Sequence, residues 1–93
     1  MHLEIVSPEA TLFSGEATSV TVPGTDGEFQ ILNNHAAIVS LLDKGTVKIK
    51  STSSMDESFQ DKFKKGKETG EWTLDIQSGT IEMKDNKAIV LVD

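Results

Sequence analysis

His2 and His35 are the only histidines of the 93-residue sequence, and either would need partners brought in from distant segments to act as a base or a metal ligand. No close His/Glu spacing supplies such partners. Asp26, Glu28 and Asp43 could be paired for acid–base work, with His35 as base in a shared pocket. Yet Asp26 adjoins Gly27 and Asp43 stands two residues before Gly45, and such combinations are what turns require. Ser14-Gly15 and Ser78-Gly79 lack the G-x-S-x-G frame of a nucleophile elbow. The segment Pro23-Gly24-Thr25-Asp26-Gly27 has neither the glycine spacing nor the lysine of a phosphate-cradling loop. With no cysteine, disulfides, thiol nucleophiles and thiolate metal sites are excluded together. The residues therefore point to a binding or structural module with no catalytic residue, metal or cofactor.

Composition agrees. A chain of 93 residues with 37% hydrophobic content forms one core, so residues 1–93 are read as one domain. A net charge of -6, from 9 basic and 15 acidic side chains, repels phosphate backbones and anionic lipid, which argues against nucleic-acid binding. The longest apolar run, residues 88–92, is far short of the roughly 20 residues that span a bilayer, so direct membrane insertion is not expected. Met1 leads into Leu3, Ile5 and Val6 without a basic region or signal core, which points to the cytosol or an equivalent compartment.

The elements that must position any site are strands. Leu3 and Ile5, Val20 and Val22, Val47 and Ile49, Trp72, Leu74 and Ile76, and Ile81 and Met83 all alternate with polar neighbours, the period of half-buried strands. Turn-forming pairs separate them, among them Ser7-Pro8, Asp26-Gly27, Asn33-Asn34, Ser78-Gly79 and Asp85-Asn86. Many short strands with frequent turns predict an all-β sandwich or flattened barrel. Residues 88–92 do not alternate and read as a strand covered on both faces. Residues 36–42 are read as strand in preference to a helical turn. The expected interior is Leu3, Ile5, Val20, Val22, Phe29, Ile31, Val47, Ile49, Leu74, Ile76, Ile89 and Leu91.

Residues 51–70 depart from this pattern. They are polar apart from Met55, Phe59 and Phe63, whose i, i+4, i+8 spacing puts them on one helical face. Ser54 and Glu57 have capping-box spacing, Asp56 and Glu57 suit a first turn, Lys62, Lys64 and Lys65 a last one, and Gly66 a stop. The spacing predicts a short helix over residues 54–65 that docks its Met/Phe stripe; the alternative is a mobile loop between strands.

The run Val22-Pro23-Gly24-Thr25-Asp26-Gly27-Glu28-Phe29-Gln30-Ile31-Leu32-Asn33-Asn34-His35-Ala36 resembles the signature V-x-x-P-G-x-x-G-E-F-G-I-L-P-x-H-A of the epsilon subunits of rotary ATP synthases. Leu3 to Glu9, Leu12 to Glu16, Leu41 to Ile49, Ser78 to Met83 and Asn86 to Val92 resemble the flanking segments of that family in the same order. Gln30, Asn33 and Thr80 depart from its usual Gly, Pro and Gly, and residues 51–70 exceed its ordinary hairpin.

The resemblance implies a flattened ten-stranded β-sandwich of two sheets. It also implies a non-catalytic place in the central stalk between the gamma subunit and the c ring, coupling proton or sodium flow to ATP synthesis. By position, Asp26, Gly27 and Glu28 correspond to a c-ring contact, and Ser7, His35 and Ser40 to gamma contacts. Met55, Phe59 and Phe63 are a candidate further contact. In the family a carboxy-terminal helical pair follows the sandwich, whereas this sequence ends at Val92-Asp93, so inhibitory or nucleotide-binding features of that pair are not expected. The implied location is peripheral, on the cytoplasmic side of a bacterial inner membrane, and the isolated chain is expected to be a monomer. A free-standing sandwich adaptor for a peptide or sugar is the alternative that composition permits.

Overall fold

A computed structural model describes residues 1–51 and 57–93, apart from the side chain of Glu57. Within them the strands are β1 (His2–Val6), β2 (Thr11–Glu16), β3 (Ser19–Gly24), β4 (Gly27–Leu32), β5 (Ile38–Leu42) and β6 (Gly45–Lys50). After a single helical turn, α1 (Glu57–Gln60), come β7 (Lys64–Lys65), β8 (Glu71–Ile76), β9 (Gly79–Lys84) and β10 (Lys87–Val92). Hydrogen bonds link the strands in the order β2-β1-β10-β9-β5-β3-β6-β8-β7, with β4 paired to the free side of β3. The sheet curls where β5 meets β3, at the pair Gly24 and Leu42. Two halves result, β2-β1-β10-β9-β5 and β4-β3-β6-β8-β7, and their apolar faces close on each other as a sandwich.

The alternation explains the closure. Leu3, Ile5, Val20, Val22, Ile31, Val47, Ile49, Ile81 and Val90 have no exposed surface, and the residues between them point outward. Phe29, Leu74 and Trp72 are half-buried and pack against this core. Hydrophobic transfer on the order of 25 cal/mol per Å² is what holds so small a domain, since a sequence without cysteine has no disulfide to assist it.

Three sequence readings need correction. Residues 88–92 are not covered on both faces, because Ala88, Val90 and Val92 face the core while Ile89 and Leu91 face outward, 39% and 51% exposed. Ile89 and Leu91 therefore leave the core, and an unbroken apolar run hid a period-two strand. The predicted helix over residues 54–65 is also too long: α1 ends at Gln60, and Lys64–Lys65 pair as strand with Thr73 and Trp72. Phe59 and Phe63 still dock as one apolar pair, with ring centroids 6.0 and 6.1 Å from Phe13. A four-residue helix gains little on its own, whereas the open edge of β8 offers backbone partners and Trp72 lies 6.0 Å below the Lys65 ammonium. Ser54 and Met55, and with Ser54 the capping box, lie outside the described residues.

Candidate functional site

The strand directions sort the connections into two ends. β1 and β10 run parallel, β2 and β9 against them, and β5, β3, β6 and β8 then alternate. At one end lie the β1–β2 turn with Ser7, the β3–β4 turn with Asp26, the β5–β6 turn with Asp43, the β8–β9 turn with Ser78, and Asp93. At the other lie Ala17, residues 33–37 with His35, and the β9–β10 turn. His35 and the pair Asp26 and Glu28 thus sit a strand length apart, and the acid–base pocket that would join them does not form.

Asp26 and Gly27 are exposed at the tip of the β3–β4 hairpin. Gly27 has φ 121°, a conformation that side chains resist, and Gly24 at the base admits the Phe29 ring where a Cβ would lie 2.7 Å from it. Glu28, the second residue of β4, lies opposite Pro23 and forms an ion pair with Lys48 of β6 at 3.5 Å. This partner, twenty residues on, was invisible to spacing arguments.

Ser7 caps its own turn, its hydroxyl donating to the Ala10 carbonyl at 3.2 Å. His35 is exposed, with Nδ1 2.7 Å from the Ala36 carbonyl, and the neighbouring Asn34 N–H donates to Asn86 Oδ1 at 2.8 Å. Ser40 is half-buried on β5 and donates to the Leu41 carbonyl at 3.3 Å. Its neighbours Val39 and Leu41 point outward, 74% and 64% exposed. Across the sheet, Val39 pairs with Glu82, which pairs with Ile89, and Leu41 pairs with Thr80, which pairs with Leu91. Four large aliphatic side chains thereby share the outer face of the β2-β1-β10-β9-β5 half. Motif reasoning missed them; the signal was that apolar runs at 38–42 and 88–92 exceed what one inner face can take.

The opposite outer face is polar apart from Leu32, which is exposed at the end of β4, and it carries ion pairs within itself. Lys48 meets Glu28, Lys64 meets Asp75 at 3.9 Å, Thr46 donates to Asp75 at 2.9 Å, and Lys50 bonds Glu68. The hydrogen bond from Lys50 holds the Glu68 carboxyl below its ordinary 4.5 and raises the Lys50 ammonium above 10.5. Among the described residues no cluster of three or more His, Asp or Glu gathers to hold a metal ion. No described helix is long and apolar enough to cross a membrane.

Known proteins share this chain's sequence and its architecture. The family model "ATP synthase, Delta/Epsilon chain, beta-sandwich domain" matches residues 1–60. The ATP synthase epsilon chain of Campylobacter fetus is 38% identical over 93 residues, all of this chain and 60% of that protein. The epsilon chain of Chlorobium limicola is 37% identical over 91 residues, 98% of this chain and 86% of that one. The chain thus spans under two thirds of some relatives and most of others. A solved structure of the central stalk and c-ring of the Tetrahymena thermophila mitochondrial ATP synthase superposes with a TM-score of 0.74 at 18% identity, covering 99% of this chain and 62% of the matched chain. Another, of the Euglena gracilis mitochondrial ATP synthase, gives 0.70 at 16% identity over 97% of this chain and 48% of the other. These two likenesses support the fold, and the sequence matches carry the family: the chain belongs to the beta-sandwich domain family of ATP synthase delta and epsilon chains.

Proposed function

We propose that this sandwich works as the non-catalytic, central-stalk part of an epsilon-type subunit, docked on gamma by its apolar outer face and on the c ring by the Asp26-Gly27-Glu28 turn. The observation that carries the reading is the row of exposed aliphatics on one face of a domain whose other face is charge-paired. Covering such side chains is worth about 1.5–3 kcal/mol for each one fully buried. Ser7 and His35 lie at opposite ends of that half of the sheet and Ser40 lies between them, so one partner spanning the face would meet all three segments. Its place is peripheral, on the cytoplasmic side of a bacterial inner membrane, where it passes rotation between gamma and the ring. A tightly packed sandwich suits that work because its interior yields little under load.

Val39→Asp with Ile89→Asp tests this reading. Both side chains are outside the core, so the fold should survive, while capture of the chain by purified gamma should fall by at least about a hundredfold. Undiminished capture by gamma would overturn the assignment of this face.

A further inference from the structure

The charged half of the sheet would end on an open strand without residues 57–69. β8 pairs with β6 along its whole length, from Glu71 to Ile76, on one side. Its other edge meets Lys64–Lys65, opposite Thr73 and Trp72, and then Gly66, whose N–H donates to the Glu71 carbonyl at 2.8 Å. A bare edge is a template for any further strand, because it turns backbone N–H and C=O groups outward. The occupant that this edge fits is a second β8. Trp72, Leu74 and Ile76 form its inner row against the core, and Glu71, Thr73 and Asp75 alternate with them. Antiparallel copies related by a twofold at Leu74 would set Thr73 against Asp75 and Trp72 against Ile76, opposing no like charges and joining one apolar row to the other. A twofold at Thr73 would instead oppose Glu71 to Asp75, so charge selects the first register. That overlap, Trp72 to Ile76, needs the two residues that β7 occupies.

We infer that residues 57–69 are a strap that keeps this chain single, by covering a self-complementary edge and ending the sheet in lysines. The strap is tethered along its length. Phe63, 7% exposed, and Phe59 seat against Phe13. Lys64 Nζ reaches Asp75 at 3.9 Å, and at the return Glu68 bonds Lys50 while the Lys67 N–H donates to Glu71 Oε1 at 3.1 Å. Between Phe59 and Gly70, Lys62, Lys64, Lys65 and Lys67 are all exposed, against Asp61 and a Glu68 already paired. A chain of net charge -6 thus turns a basic border outward at this one edge. Two such borders repel each other, and a strand as short as β7 offers little ladder to a newcomer.

Sedimentation equilibrium tests this. Replacing residues 52–69 by Asn-Gly joins Ser51 to Gly70, where the Ser51 N–H already donates to the Gly70 carbonyl at 3.0 Å, and leaves β6 and β8 as a plain hairpin. With Phe13→Thr to remove the ring that the strap covers, the shortened chain is expected to self-associate at least about a hundredfold more tightly than the full chain. The full chain should sediment as a monomer. Because the sequence has no cysteine, shortened copies carrying Thr73→Cys and copies carrying Asp75→Cys should join in a mixed disulfide when treated with diamide, and full-length copies should not. A shortened chain that stays monomeric would overturn the inference. So would a dimer that leaves these thiols unlinked, since its contact would lie on another surface, such as the aliphatic outer face. Should circular dichroism show the shortened chain unfolded, the decision passes to the full chain carrying Lys62→Thr, Lys64→Thr, Lys65→Thr and Lys67→Thr, which keeps Phe59 and Phe63 in place. It is expected to self-associate about tenfold more tightly, and sedimentation identical to that of the unaltered chain would sink the proposal.

Discussion

The two outer faces of this domain are built from the same alternating strand pattern and end up with opposite chemistry. On the β4-β3-β6-β8-β7 half, the outward positions carry Lys48, Lys64, Asp75 and Glu28, which neutralise one another across neighbouring strands. On the β2-β1-β10-β9-β5 half, the corresponding positions carry Val39, Leu41, Ile89 and Leu91 in a patch interrupted by Glu82 and bordered by Lys84 and the His2–Glu4 pair. Alternation decides which side chains leave the interior, but it does not decide what they are. A polar outer face is complete in water, whereas an aliphatic one is complete only when something covers it.

The sharpest way to test that division is to truncate matched residues from inside and outside. Ile49→Ala removes a fully buried side chain and should cost about 3–5 kcal/mol in urea unfolding, while Leu91→Ala should change stability by less than about 0.5 kcal/mol. Comparable losses at the two sites would mean that the aliphatic face belongs to the core after all. Phe63→Ala comes next, with an expected loss of about 3 kcal/mol, because Phe63 is buried against Phe13 where β2 and β7 leave the sandwich open. A melting temperature unchanged by this substitution would show that residues 57–65 are not part of the packed interior.

The smallest effect belongs to the charged face. Glu68 titrates below its ordinary value through its bond to Lys50, so the stability it adds is present above about pH 4.5 and fades as pH falls through the lowered value. Exposure keeps that contribution small. Carboxyl carbon shifts followed by NMR should place the Glu68 midpoint below those of exposed glutamates, and Lys50→Met should bring it back up. A midpoint unmoved by Lys50→Met would assign the lowering to another cause.

Much of this was legible in the order of residues, and what was not has a physical reason. Val47, Ile49, Leu74 and Ile76 declare their inner face because polar residues separate them. Residues 88–92 conceal theirs, since every position is apolar and the pattern cannot say which side meets the core and which is left for another surface. The spacing of Phe59 and Phe63 is a local signal that brings both rings onto Phe13, but the pairing of Lys64–Lys65 with β8 is a tertiary bond that overrides the helix expected beyond Gln60. At the hairpin tip, Asp26 and Gly27 announce a turn, whereas the Glu28 ion pair is assembled from strands far apart in sequence. Local rules read single elements; shared sites arise where elements meet.

The parallel pairing of β1 with β10, from His2 beside Lys87 to Val6 beside Leu91, has a kinetic meaning. β1 lies in the sheet between β2 and β10, the strand farthest from it along the sequence. β1 and β2 can meet early as a hairpin, but the half that carries Val39 and Ile89 closes only when residues 87–92 have emerged. Such remote pairings slow folding, because the chain must surrender loop entropy before the contacts repay it. Until then the β1 edge stays open to other strands, and the nascent domain is exposed to mispairing for as long as residues 87–92 are missing.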